Sequence, residues 1–138
     1  MFEEGRKINK SHITMIISIT ITLFLLASCG IADGGRVTAR DVLKQNKDAD
    51  IIQYAGSIYS NVTNLEWFQE RKEQIVIKKD YYVGEVQNQT NNSWKFKELS
   101  ATKLPKGTKV YSRDEEVGGM LIVEYEGEIL YYMELLEG

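Results

Sequence analysis

The stretch Met120-Leu-Ile-Val-Glu-Tyr125-Glu126-Gly127-Glu128-Ile-Leu-Tyr-Tyr-Met-Glu-Leu-Leu136 decides the fold. Two β-rich runs flank the pair Glu126-Gly127, the sequence pattern of a hairpin closed by a two-residue turn. Pairing Tyr125 with Glu128 sets the register. Because side chains alternate across a strand, Leu121, Val123, Leu130 and Tyr132 then share one face, while Met120, Ile122, Glu124, Ile129, Tyr131 and Met133 share the other. Both faces are largely apolar. The hairpin is therefore expected at the centre of a sheet, one face in the core and the other covered by the N-terminal helix of the domain or by a partner.

Working outward, Leu104-Pro-Lys-Gly107 is a turn in which proline fixes φ and glycine allows it to be positive, and Thr108 to Tyr111 resumes a strand. Trp94-Lys-Phe-Lys97 alternates with period two and predicts a strand. Gln87 to Ser93 (QNQTNNS) carries no apolar residue and predicts a loop. Ile75 to Ile77 and Tyr81 to Val86 predict strands. Asn64 to Glu70 predicts one or two helical turns, capped by Asn64, with Leu65 and Phe68 on one face. Ile51 to Tyr54 and Ser57 to Tyr59, around Ala55-Gly56, predict a hairpin. Thr38-Ala-Arg-Asp41 opens a short helix over 39–47 with a capping box. The fold class is α+β, mainly antiparallel β: a small sheet or partly open barrel with one or two short helices.

The 138-residue chain carries 17 basic and 20 acidic residues, a formal net charge of −3, and no block of five or six like charges. Nothing in this pattern points to a nucleic-acid partner. Arg6, Lys7 and Lys10 precede an uncharged run from Ile13 to Leu26, a basic n-region and an apolar h-region. That run spans about 22 Å as a helix, short of the ~30 Å hydrocarbon core. It ends in Leu26-Ala27-Ser28-Cys29.

These four residues, with the charge and apolar run before them, resemble the lipobox of bacterial lipoproteins, and the chain as a whole resembles small lipoproteins of Gram-positive bacteria. The resemblance implies cleavage between Ser28 and Cys29 and a diacylglyceryl group on the Cys29 sulfur. Residues 1–28 would then be a removed signal peptide, 29–37 a lipidated cysteine and flexible tether, and 38–138 a single β-rich extracytoplasmic domain. The tether 30–37 reaches at most about 25–29 Å. The expected partner is the lipid bilayer, through acylated Cys29, and then the cell wall or a membrane protein.

Arg6, Lys7, Lys10, Glu3, Glu4 and His12 would leave with the signal, so residues 29–138 keep 14 basic and 18 acidic side chains and no histidine. Ser-His-Asp and Cys-His catalysis and histidine-containing metal sites are excluded in that product, and the only cysteine becomes a blocked thioether. No enzyme, cofactor or metal is expected. Asp114-Glu115-Glu116 and the Glu124, Glu126, Glu128 series lack calcium-loop spacing and fit solvated turns. Asn61-Val-Thr63, Asn88-Gln-Thr90 and Asn91-Asn-Ser93 match the glycosylation sequon but fit polar turns.

Residues 104–129 are similar to the core of bacterial SH3-like domains, in which a Leu-Pro-x-Gly-Thr turn leads into a strand and a hairpin. That similarity implies binding of cell-wall peptide or a proline-rich ligand through aromatic side chains. Tyr81, Tyr82, Tyr131 and Tyr132 are the candidate ligand-binding aromatics, since neighbours in a strand point to opposite faces and one of each pair faces out unless both faces are covered. The leading expectation is a membrane-anchored binding module for cell-wall material or a small ligand. The alternatives are a protein-interaction or immunity-type factor acting on a membrane protein and, behind both, an enzyme with paired carboxylates.

Overall fold

A computed structural model describes residues 35–75, 78, 81–114 and 119–137. Residues 1–28, expected as a signal peptide, and Cys29 lie outside the described residues, as does the expected tether up to residue 34. Arg36, counted with the tether in the sequence, forms an isolated antiparallel bridge with Leu136.

Helix α1 (Ala39–Gln45) begins as its sequence dictates. The Thr38 hydroxyl accepts from the Asp41 amide at 3.3 Å and the Asp41 carboxylate accepts from the Thr38 amide at 3.1 Å, a closed capping box. The hydrogen bonds from the Thr38 side chain and then its backbone hold the Asp41 carboxyl below its ordinary range. Thr38→Ala removes the cap and is expected to cost about 1 kcal/mol, read as a lower denaturant midpoint at unchanged slope.

Two hairpins follow from two-residue turns. Strands β1 (Ile51–Tyr54) and β2 (Ser57–Asn61) pair with Tyr54 opposite Ser57, and β7 (Met120–Tyr125) and β8 (Glu128–Glu134) pair with Tyr125 opposite Glu128. Both central residues of each turn have positive φ: Ala55 (50°) with Gly56 (77°), and Glu126 (51°) with Gly127 (79°). Such turns match the twist of the strands they join. The Glu98 carboxylate accepts from the Ala55 amide at 2.6 Å and so holds the first turn, where a non-glycine residue carries the strain.

Helix α2 (Glu66–Gln69), β3 (Tyr82–Glu85), β4 (Asn88–Gln89), β5 (Ser100–Ala101) and β6 (Lys109–Ser112) complete the fold. The eight strands form one sheet in the order β3-β6-β7-β8-β2-β1-β5-β4, curled into an open half-barrel. It is mixed: β4 and β5 run parallel, the other pairs antiparallel. The segment 82–89 supplies the edge strand at both ends. At its middle the Val86 amide donates to Thr108 O (2.9 Å) on one side, and the next amide, Gln87, donates to Leu99 O (2.9 Å) on the other. Gly84, just before this crossing, has φ +145°, and a Cβ there would lie 2.8 Å from Leu99 Cδ1. Only glycine adopts that backbone without strain.

Alternation divides the core into three. Inside the curl pack Ile52, Tyr59, Val86, Ala101, Leu104, Val110, Leu121, Val123 and Tyr132. Their sequence neighbours point outward, Ile122, Tyr111 and Tyr131 toward Phe68 of α2, and Ile51 and Ile58 toward Ala39 and Leu43 of α1. Each short helix thus covers one outer patch. The hairpin 120–134 is central to the sheet, but its outer face is covered by α2, while the N-terminal helix covers β1 and β2.

Five local expectations are corrected. Trp94 lies in a one-turn 3-10 helix, Ser93–Lys95, not a strand, because the Asn92 carboxamide accepts from the Trp94 amide (3.0 Å) and caps the turn. Within the polar run 87–93, Asn88 and Gln89 pair with β5 through their backbones, which need no apolar side chain. The residue before α2 is Leu65, not Asn64, and no side chain caps it. Leu65 is exposed while Phe68 is buried, so the two do not share the covered face. Ile75 lies outside any strand, and residues 76 and 77 lie outside the described residues.

Candidate binding surfaces

The four tyrosines singled out from the sequence separate sharply. Tyr132 is fully buried in the inner core, and its hydroxyl donates to Asp50 Oδ1 at 3.0 Å. Asp50 Oδ2 accepts from Asn61 Nδ2 at 2.7 Å, which completes a partly buried Tyr132–Asp50–Asn61 chain. Burial, then the Asp50 charge and hydrogen bond, pushes the Tyr132 phenol well above the ordinary tyrosine range. Tyr131 is buried on the opposite face, its ring 4.9 Å from that of Phe68. Neither ring faces solvent, because both faces of β8 are covered at that point. Tyr81 is half-buried with Lys78 Nζ 5.4 Å from its ring centre, and Tyr82 is 49% exposed, edge-on to Tyr111 at 5.6 Å. Of the four, Tyr82 alone is exposed.

Two of the grooves on the described surface carry charged side chains. The first, of about 410 Å³, is lined by Lys106, Gly107, Thr108, Lys109, Glu124, Tyr125 and Glu126. It is built by the Leu104-Pro-Lys-Gly-Thr turn and the β7–β8 turn. Gly107, at φ +91°, bends the chain so that its amide donates to Val86 O (2.8 Å). The Thr108 hydroxyl donates back to Pro105 O at 2.7 Å, which fixes the turn. The groove therefore presents two ammonium groups, two carboxylates and a phenol. The hydrogen bond to Glu126, and then desolvation, raises the Tyr125 phenol above its ordinary value. These residues fall within 104–129, the segment similar to SH3-like cores.

The second groove, of about 620 Å³, runs between α1 and the Ser93–Lys95 turn and is lined by Arg40, Leu43, Lys44, Lys47, Asp48, Asn91 and Ser93. Trp94 stands beside it, 79% exposed, with the Arg40 guanidinium 4.9 Å from its ring centre. Sequence reading missed this surface because a period-two pattern placed Trp94 on a strand. The signal that finds it is Asn92, a capping residue directly before Ser93-Trp94 in a run without apolar side chains.

Among the described residues no group of three or more His, Cys, Asp or Glu side chains is arranged to hold a metal ion, and no helix is long and apolar enough to cross a membrane. No protein-family model, curated protein or solved structure matches the chain.

Proposed function

We propose that the chain is a lipid-anchored extracytoplasmic protein, non-enzymatic, whose single domain binds cell-wall peptide material at the Lys106–Tyr125 groove. The observation that carries the ligand assignment is the mixed charge of that groove. Stem peptides of the wall carry both carboxylates and amines, and paired lysines and glutamates around a phenol complement such a zwitterion where a uniformly charged groove would reject half of it. The volume suits a ligand of a few residues. The anchor assignment rests on the basic n-region, the apolar run and Leu26-Ala27-Ser28-Cys29. Two acyl chains supply the two-signal anchoring that one cannot, and a tether of at most six residues before Arg36 keeps the domain where membrane and wall meet. The cell membrane, extracytoplasmic face, is the location.

A second reading, a protein-interaction or immunity-type factor acting on a membrane protein, draws on the exposed apolar side chains Leu65, Trp67, Tyr82 and Ile129.

Two measurements test the proposal. Cys29→Ala is expected to abolish lipid labelling and to shift the protein out of the washed membrane fraction; retention of both in the variant rules out the anchor. Calorimetric titration of the detergent-solubilised full chain with soluble muropeptide is expected to show binding that Tyr125→Ala weakens roughly tenfold, as truncation of a central aromatic does. Equal affinity of the two proteins, or no heat at millimolar ligand, removes the groove from consideration.

A further inference from the structure

We propose that α1 and the Ser93–Lys95 turn form a docking surface for the anionic phospholipid headgroups of the bilayer, so that the domain lies on the membrane with one defined face. The inference rests on the lipid anchor proposed above, and it concerns a surface separate from the peptide groove.

Arg40, Lys44 and Lys47 stand at i, i+4 and i+7 along α1 and the turn after it, and all three are exposed. The i, i+4 spacing puts Arg40 and Lys44 on one side of α1, Lys47 beyond its end lines the same groove, and the adjacent buried Ala39 and Leu43 fix the helix against the sheet. The row cannot turn away. Of the carboxylates nearby, Asp41 is engaged in the capping box and Asp48 is the one acidic residue that lines the groove, against three cations.

Trp94 adds the second element. Its turn is capped by Asn92 and pinned from below by Phe96, which is buried with Ala39 and Leu43, so the indole is held outward beside the cations. Indole is an interfacial side chain: its apolar ring enters the headgroup layer while its N–H finds a polar partner. An exposed tryptophan flanked by arginine and lysines has the composition of surfaces that lie on anionic membranes.

Charge and chain length select the bilayer as the occupant. The mature sequence is net acidic, with 18 acidic and 14 basic residues, so an anionic membrane repels it except through a local basic face. That face begins eleven residues after Cys29. Six residues lie between Cys29 and Arg36, the first residue paired into the domain, and the seven Cα–Cα steps bound their separation at roughly 25 Å. The anchor thus holds α1 at high effective concentration over the headgroups, where weak electrostatic contacts suffice.

The test uses the full lipidated protein in a Trp67→Phe background, so that Trp94 is the single tryptophan of the mature chain. It is reconstituted in vesicles of phosphatidylcholine with and without phosphatidylglycerol, each containing lipids brominated near the headgroup. Quenching of Trp94 is expected with phosphatidylglycerol, little without it, and loss of the difference at about 1 M salt, where the screening length falls to ~3 Å. The triple variant Arg40→Glu, Lys44→Glu, Lys47→Glu is expected to return to the phosphatidylcholine level while it stays anchored and folded by circular dichroism. Equal quenching in the two vesicles, or quenching that the triple variant retains, overturns the docking surface and leaves the anchor standing. Absence of acyl mass on Cys29 overturns both. Full relief of quenching by soluble polyglycerol phosphate at equal charge concentration overturns the bilayer in favour of an anionic wall polymer.

Discussion

Phe68→Ala is expected to lower the unfolding free energy by about 3–5 kcal/mol. Phe68 is the one buried side chain of α2, and a four-residue helix has no stability of its own to offer. Its ring packs 4.9 Å from Tyr131 and 5.8 Å from Trp67, over a patch that includes Tyr111, Met120 and Ile122. Truncation opens a cavity over the outer face of the central hairpin and releases the cover of Ile122, which is otherwise fully buried. In a domain of about 100 residues each kcal/mol moves the melting temperature by roughly 4–8 °C. A fall of about 12 °C or more is therefore expected by calorimetry. Leu65→Ala, one turn earlier but exposed, is expected to change stability by less than about 0.5 kcal/mol. Equal effects of the two substitutions would mean that α2 does not cover the sheet.

Alkaline pH is expected to unfold the domain from about pH 10 upward. Tyr59 is pushed up to about 12 by burial first, and then by the negative charge of Glu134. Tyr132 is also raised, by burial and by Asp50. A phenol raised in the folded state keeps its proton after the unfolded chain has lost it. Its contribution is therefore complete below the unfolded value near 10 and is lost as pH rises through the window above it. Each such tyrosine adds a slope of about 1.4 kcal/mol per pH unit there, so two together exhaust a typical small-domain stability within a few units. Tyr132→Phe removes one of the two. Its pH dependence is expected to halve, at a cost below pH 9 of only about 0.5–1.5 kcal/mol, because Asp50 keeps its hydrogen bond from Asn61. A variant with the wild-type alkaline slope would show that Tyr132 titrates freely in the folded state.

The sequence revealed elements whose instructions are local. The capping box at Thr38 and Asp41, the turns Ala55-Gly56 and Glu126-Gly127, and the two faces of 120–134 follow from neighbours within a few residues, and the structure carries each as expected. It was least informative where backbone pairing is long-range. Asn88 and Gln89 join the sheet through amides and carbonyls that every residue has, so composition marks them as loop. The binding surfaces failed for a related reason. Tyr131 and Tyr132 were singled out as a pair with one ring outside, which holds for a half-covered strand, but α2 closes the second face. Glu124 and Glu126, read as solvated turn carboxylates, stand with Tyr125 beside Lys106 and Lys109, about 15–20 residues earlier in the chain.

The crossing at Val86 and Gln87 has a consequence for how the molecule comes apart. These adjacent amides are tied to opposite ends of the sheet, Val86 beside β6 and Gln87 beside β5. Fraying, which in an open sheet starts at one margin and leaves the other intact, has no independent margin to start from. Loss of either hydrogen bond frees the segment that the other depends on. The N-terminal hairpin, β1 and β2, and the C-terminal hairpin, β7 and β8, although each closed by its own local turn, therefore share one cooperative unfolding unit.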